Sequence, residues 1–152
     1  MLFNVYFPNG ERGPEWVKHK LEFYRHFLKV AQKYMKRGRS VVVTGDVNTA
    51  YAEIDIARPK ENLKKSGFMP EERAVMGEFF AAWLVDTFRH KYPETVKYTW
   101  WDQLTRARER NVGWRLDYIF VSPDLRERIL DAGIHDDVMG SDHCPVSLTL
   151  DV

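Results

Sequence analysis

The segment Gly140-Ser141-Asp142-His143-Cys144-Pro145 runs directly into Val146 to Val152, where apolar and polar residues alternate strictly. Alternation of period two is the mark of a strand with one buried and one open face. Val146, Leu148, Leu150 and Val152 are therefore expected inward, and Ser147, Thr149 and Asp151 outward. Pro145 fixes φ just before the strand, so the chain must present an acid and a histidine side by side at the mouth of a sheet. Two more polar groups sit in the same kind of place. Val41-Val42-Val43 is a short β-branched run that predicts a strand buried on both faces, stopping at Gly45, with Asp46 and Asn48 at its exit. Leu116 to Ser122 predicts another strand, opened by Asp117. Asp, Asn, Asp, Asp and His at strand ends are the side chains that metal-assisted phosphodiester hydrolysis requires.

The remaining pattern sets these strands among helices. Leu2 to Phe7 reads as a strand closed by Pro8-Asn9-Gly10. Pro14 opens a helix whose Val17, Leu21, Tyr24, Leu28, Ala31 and Met35 share one face and which ends at Gly38. Residues 52–67 read as loop with a turn of helix. Pro70-Glu71-Glu72 begins a second helix with Val75, Met76, Phe79, Phe80 and Trp83 inward. A turn follows near Lys91-Tyr92-Pro93, then a strand from Val96 to Trp101, an exposed polar loop from Gln103 to Asn111, and a turn and strand within 126–135. The order β-α-β-α-β-β-β predicts an α/β (α+β) fold, with helices on a mixed or largely antiparallel sheet. No repeat or linker interrupts it, so 1–152 reads as a single domain.

At 152 residues such a chain can bury roughly 70% of its unfolded surface, enough for a real core. The net charge of +1 argues against a general polyanion binder and shifts attention to local patches. Arg106, Arg108 and Arg110 form one candidate, and Lys60, Lys64 and Lys65 another, although a charge run is more often a solvated face. Five Trp, seven Tyr and nine Phe can build an aromatic core or, near polar strand ends, stack on bases and sugars. The lone Cys144 excludes an intrachain disulfide and a cysteine-based zinc cluster. With no apolar run of membrane-spanning length, this composition predicts a cytoplasmic protein without a membrane partner.

Single residues leave both readings open. Gly-Asp-Val-Asn at 45–48 is ordinary turn chemistry, because Asp and Asn side chains bond nearby backbone; it is also a carboxylate at a sheet rim. His143 differs from His19, His26, His90 and His135 in having an acid before it and a proline two residues after it. Asp117, in an otherwise apolar strand, needs a partner, and a histidine is a natural one.

Taken together, the motifs resemble the exonuclease III branch of the endonuclease/exonuclease/phosphatase superfamily, the abasic-site endonucleases of DNA repair. The resemblance spans essentially the whole chain. It rests on Tyr-Phe-Pro-Asn-Gly at 6–10, Gly-Asp-Val-Asn at 45–48, Glu-Ile-Asp-Ile-Ala-Arg-Pro-Lys at 53–60 and Gly-Phe-Met-Pro-Glu-Glu-Arg at 67–73. It continues with Tyr-Thr-Trp-Trp at 98–101, Trp-Arg-Leu-Asp-Tyr at 114–118 and Gly-Ser-Asp-His-Cys-Pro at 140–145. The resemblance implies part of a four-layer α/β-sandwich of two facing sheets with outer helices. It implies hydrolysis of the phosphodiester 5′ to abasic sites and 3′-to-5′ exonuclease action, with Mg2+ or Mn2+ as cofactor and double-stranded DNA carrying abasic sites or 3′ ends as partner.

Roles follow residue by residue from that resemblance. Asp46 orients the attacking water, and Asn48 holds it or the phosphate. His143, oriented by Asp117, binds a non-bridging oxygen. Tyr6 contacts the phosphate or assists the leaving group. Asp142, with Asp46 and Asn48, lies at the metal. Trp100 and Leu116 line the sugar pocket; Asn9, Arg12 and Asn62 meet the DNA backbone; the loop from Gln103 to Asn111 lies against a groove, where Arg106, Arg108 and Arg110 suit phosphate contact.

The resemblance also implies an earlier segment that carries an asparagine and the principal glutamate ligand, which nothing before Leu2 supplies. The expectation is therefore a fold incomplete at its N-terminal side, with Val146 to Val152 deprived of strand neighbours. A complete protein is expected to be a monomer, while an exposed sheet face opens oligomers to this chain. A non-catalytic DNA- or partner-binding fragment and a small-molecule phosphoesterase are the alternatives.

Overall fold

The structure, a computed structural model, describes residues 1–82 and 84–151. Trp83 and Val152, both expected inward, lie outside the described residues. Strand β1 (Leu2–Asn4) runs parallel to β2 (Val42–Asp46). Its backbone keeps bonding to that neighbour through Val5 N to Thr44 O and Phe7 N to Asp46 O, both 2.9 Å, so the expected span to Phe7 holds as a ladder. Helix α1 (Pro14–Met35) makes the crossover between them, and Gly38, at φ 70°, takes the left-handed position that closes its end.

Strand β4 (Asp117–Val121) lies antiparallel to β2 on its other side. The short β3 (Val85–Asp86) completes a four-stranded sheet in the order β1-β2-β4-β3. Helix α3 (Pro70–Ala81) and α1 cover one face. Val43 and Phe120 from the sheet meet Tyr24, Phe27, Leu28, Val75, Met76 and Phe79 in the main core. Two further short α-helices are α2 (Pro59–Asn62) and α4 (Thr87–Lys91).

On the opposite face lies a second sheet of two antiparallel strands, β5 (Ile129–Ile134) and β6 (Val146–Leu150). Val121, Leu125 and Ile129 are buried there, with Val42, Val85, Leu148 and Leu150 packed against them. Helices, sheet and second sheet are thus stacked layers of the α/β-sandwich.

Four local expectations change. Strand β2 runs through Gly45 to Asp46, and Val42 is only half-buried, so the β-branched run is sealed on its helix face alone. Gly45 stays in the ladder because the Val5 carbonyl passes where a Cβ would stand, 2.1 Å away, and only glycine leaves that room. Val96 to Trp101 is not a strand. Thr99 N and Trp100 N both donate to Trp114 O, at 2.8 and 2.9 Å, while Trp101 N turns to Asp142 O at 3.0 Å. The segment divides its bonds between two neighbours and forms isolated bridges rather than a ladder. Residues 107–110 curl into a 3-10 turn inside the exposed loop. Finally, β6 is not without neighbours: it pairs with β5 along its length.

Candidate active site

The register of β2 against β4 places Asp46 directly opposite Asp117, so two acids leave the sheet at the same rim. The long connection between β5 and β6 brings the histidine to them. His143 Nδ1 donates to Asp117 Oδ2 at 2.8 Å, with side chains 31% and 16% exposed. That bond leaves Nε2 for a ligand and fixes the ring's orientation. It raises the His143 pKa, against the opposing effect of burial, with Asp117, Asp46 and Asp142 adding negative charge around the ring. Burial pushes Asp46 up to about 6, and the nearby Asp117 adds to the shift, while bonds from Asn48 and the charges of His143 and Lys20 oppose it. An acid poised there can take or give a proton near neutrality.

Asn48 sits in the left-handed region at φ 51°. Its backbone N–H donates to Asp46 Oδ1 at 2.7 Å, and its Nδ2 donates to Asp46 Oδ2 at 3.0 Å and to Phe7 O at 2.8 Å. With Nδ2 occupied, Oδ1 is the amide atom left for the cleft. Across the rim, Trp100 Nε1 donates to Asp142 Oδ2 at 3.2 Å and Ser141 Oγ to Asp142 Oδ1 at 3.2 Å. Burial alone would raise Asp142; the bond from Trp100 and the charge of His143 bring it below the usual carboxylate range.

Asp46, Asn48, Trp100, Asp142 and His143 line one cleft of about 1580 Å³, together with Tyr6, Asn9, Asn62, Trp114 and Leu116, while Asp117 stands behind His143 and outside that lining. Basic side chains Arg58, Lys64, Lys65 and Arg110 also line it. Tyr6 projects into solvent, 65% exposed. Asn62 reaches the cleft, but its Nδ2 is spent on Arg58 O at 2.7 Å.

Three expected DNA contacts are placed elsewhere. Arg12 does not line the cleft; its guanidinium lies 4.8 Å over the Trp16 ring. Arg106 is exposed at φ 50°, at the head of the 3-10 turn, and also lies outside the cleft wall. Arg108 is a strap. It stacks 4.4 Å over Trp101 and donates to Ser141 O, Asp136 O and Val138 O at 3.0, 2.9 and 2.7 Å, holding the connection that carries Asp142 and His143. Of the two basic groups, Arg110, Lys64 and Lys65 face the cleft.

Among the described residues, no three His, Cys, Asp or Glu side chains meet in a geometry that holds a metal ion. The expected trio is divided: Asp46 and Asn48 bond to each other, and Asp142 to Trp100 and Ser141. The donors are nonetheless oxygens of residues lining one cleft. They suit a hard cation, which takes one or two carboxylates and fills its shell with water and phosphate.

Two buried ionic groups behind the wall escape sequence reading. Lys20 and Glu72, both fully buried, pair at 2.7 Å. Arg115 donates to Asp55 at 2.8 Å and to Asp86 at 2.7 Å, and Arg89 donates to Asp55 at 2.6 Å. Burial would raise the Asp55 pKa, but Arg115 and Arg89 lower it beneath its ordinary value. One signal was available: Lys20 falls on the apolar stripe of α1, between Val17 and Tyr24, where an unpaired lysine would be costly.

The profile of the Endonuclease/Exonuclease/phosphatase family matches residues 2–143. The chain belongs to this family. It is 41% identical over 152 residues to an exodeoxyribonuclease of Bacillus subtilis, covering 99% of this chain and 60% of that protein. Among solved structures, an AP endonuclease from Archaeoglobus fulgidus superposes with a TM-score of 0.90 at 29% identity, over 99% of this chain and 61% of that one. The 3′ phosphatase NExo from Neisseria, bound to product DNA hairpin, does so with a TM-score of 0.91 at 28% identity, over the same shares. The chain thus spans about three fifths of the length of these family members. Among the described residues, no helix is long and apolar enough to cross a membrane.

Proposed function

We propose that the protein is a DNA repair nuclease of the exonuclease III type, hydrolysing the phosphodiester 5′ to abasic sites and removing nucleotides from 3′ ends. The observation that carries this reading is the single rim at which Asp46, Asn48 and the Asp117–His143 pair converge, within a chain similar to an exodeoxyribonuclease and an AP endonuclease. Residues 1–152 act as one unit in this proposal, and the partner is double-stranded DNA, its phosphates met by Arg58, Lys64, Lys65 and Arg110 in the cleft lining. A cytoplasmic setting fits the lone buried thiol of Cys144.

Asp46 orients the water for in-line attack and receives its proton. Asn48 Oδ1 holds that water; as the bond from water to phosphorus forms, the P–O3′ bond breaks, and the 3′ oxygen leaves as a hydroxyl with a proton from Tyr6, at the phosphate, or from solvent. His143, oriented by Asp117, which also raises its pKa, donates from Nε2 in its protonated form to a non-bridging oxygen and stabilises the charge that develops there. A divalent metal, magnesium or manganese, supplies further positive charge when bound. Asp142 and Asp46 are the carboxylates this chain offers it. Trp100 and Leu116 shape the sugar pocket.

The test is nicking of a duplex with a single abasic site, in magnesium, in EDTA, and with Asp46→Asn. Magnesium-dependent nicking abolished by the substitution is expected; nicking that survives both treatments overturns the assignment. The lack of a three-ligand metal cage among the described residues favours a second reading, a DNA-binding chain without catalysis. It requires salt-sensitive duplex binding that EDTA leaves unchanged.

A further inference from the structure

We infer that Lys20 and Glu72 form a buried tether that sets the position of Asn48 from behind, making both positioning residues for the proposed reaction. The inference rests on the proposed function for its activity arm alone.

The geometry begins with helix α1. Lys20 and Tyr24, one turn apart, point the same way into the interior. The Tyr24 hydroxyl donates to the Val47 carbonyl and contacts Thr49 Oγ1 at 2.9 Å. Lys20 Nζ donates to the next carbonyl, Asn48 O, at 2.6 Å. Two successive carbonyls behind the catalytic rim are therefore gripped by one face of one helix. The side chain of Asn48 is correspondingly turned towards the cleft, with its backbone in the left-handed region.

Glu72 makes the grip selective. Its Oε1 accepts from Lys20 Nζ at 2.7 Å and from Ser66 Oγ at 2.8 Å, and its Oε2 accepts from the Gly67 and Met69 backbone at 2.6 and 3.1 Å. Ser66 Oγ in turn accepts from Gly10 N at 3.0 Å. One buried carboxylate thus ties the loop after β2, the turn carrying Asn9 and the start of α3 to the same ammonium. Gly67, at φ 96°, completes the fit: a Cβ there would stand 3.3 Å from Asn48 O and 3.1 Å from the Trp114 ring. A buried ion pair adds little stability over an apolar replacement, but it specifies geometry where each lone pair has a partner.

The test compares the full chain with Lys20→Met, and with Lys20→Met/Glu72→Gln, which leaves no uncompensated buried charge and is read in place of the single variant if that one fails to fold. Lys97→Met, at the partly exposed Lys97–Asp136 pair, is the control. Two readouts are taken. The first is the Asn48 side-chain and backbone amide signals by NMR. The second is kcat and KM for abasic-site nicking. The tether requires that the Asn48 signals shift or broaden, and that kcat fall about tenfold to a hundredfold at nearly constant KM. Unmoved Asn48 signals, or a full kcat, overturn it. If the unsubstituted chain nicks nothing, it is the proposed function that fails, and the Asn48 signals alone decide the tether.

Discussion

The candidate site has two halves that are held in opposite ways. Asp46 and Asn48 leave a strand of the four-stranded sheet and are backed by Lys20, Glu72 and Tyr24, all buried. Asp142 and His143 lie on the connection between β5 and β6, held by Arg108, Trp100 and Asp117 at a partly exposed surface. The first half is set by groups that water cannot reach, so its geometry is costly to disturb. The second is set by contacts that solvent competes for, so substitutions there are expected to alter chemistry more than folding.

Breaking the buried half should show the largest effect. Glu72→Ala leaves Lys20 charged with no counterion and frees two backbone N–H groups. A loss of about 3–5 kcal/mol is expected in urea unfolding, and a loss below about 1 kcal/mol would erase the contrast between the halves. On the other side, His143→Ala should cost less in unfolding than Glu72→Ala, since its pair with Asp117 is partly exposed, and lower kcat for nicking by about 10²–10³-fold, the usual cost of removing one donor to a developing oxyanion.

The pH dependence sharpens the comparison. The folded-state pKa of Asp46 is raised to about 6, so its stabilising contribution is fully present below the unfolded carboxylate value, near 4, and is lost as pH rises through about 6. Charged Asp46 therefore costs the fold on the order of 3 kcal/mol at pH 8. Relative to the parent, Asp46→Asn should gain in Tm between pH 4 and pH 8 while losing nicking. A gain that is flat with pH would show that Asp46 is not strained by its burial. His143, raised by Asp117, works in the same direction: its pair with Asp117 stabilises at low pH and weakens as pH rises through its folded value.

Smaller effects test the strap. Arg108→Ala should cost about 1–2 kcal/mol and loosen the His143 connection, seen as faster amide exchange over 136–143. Arg106→Ala should change stability by less than about 0.5 kcal/mol. A loss from Arg106 exceeding that from Arg108 would reverse the assignment of strap and bystander.

Much of this was legible before folding. Local rules placed α1 between Pro14 and Gly38, set α3 after Pro70, and put β6 in alternation, because caps and periodicities act over a few residues. They also placed Asp46, Asp117 and His143 at strand ends. The same rules erred where bonding was divided or non-local. Val96 to Trp101 has strand composition, yet its backbone serves two neighbours. Arg108 looks like a phosphate contact, yet it meets three backbone carbonyls supplied from a distant segment.

The sequence by itself determined which acids and which histidine stand at strand ends, since side-chain type and short-range backbone preference act locally. Tertiary structure decided the rest. The β2–β4 register set Asp46 opposite Asp117, the β5–β6 connection delivered His143 to within 2.8 Å of Asp117, and Lys20 found Glu72 across 52 positions of chain. Charges that must be buried are stabilised only by partners that folding brings to them, and no local pattern names those partners.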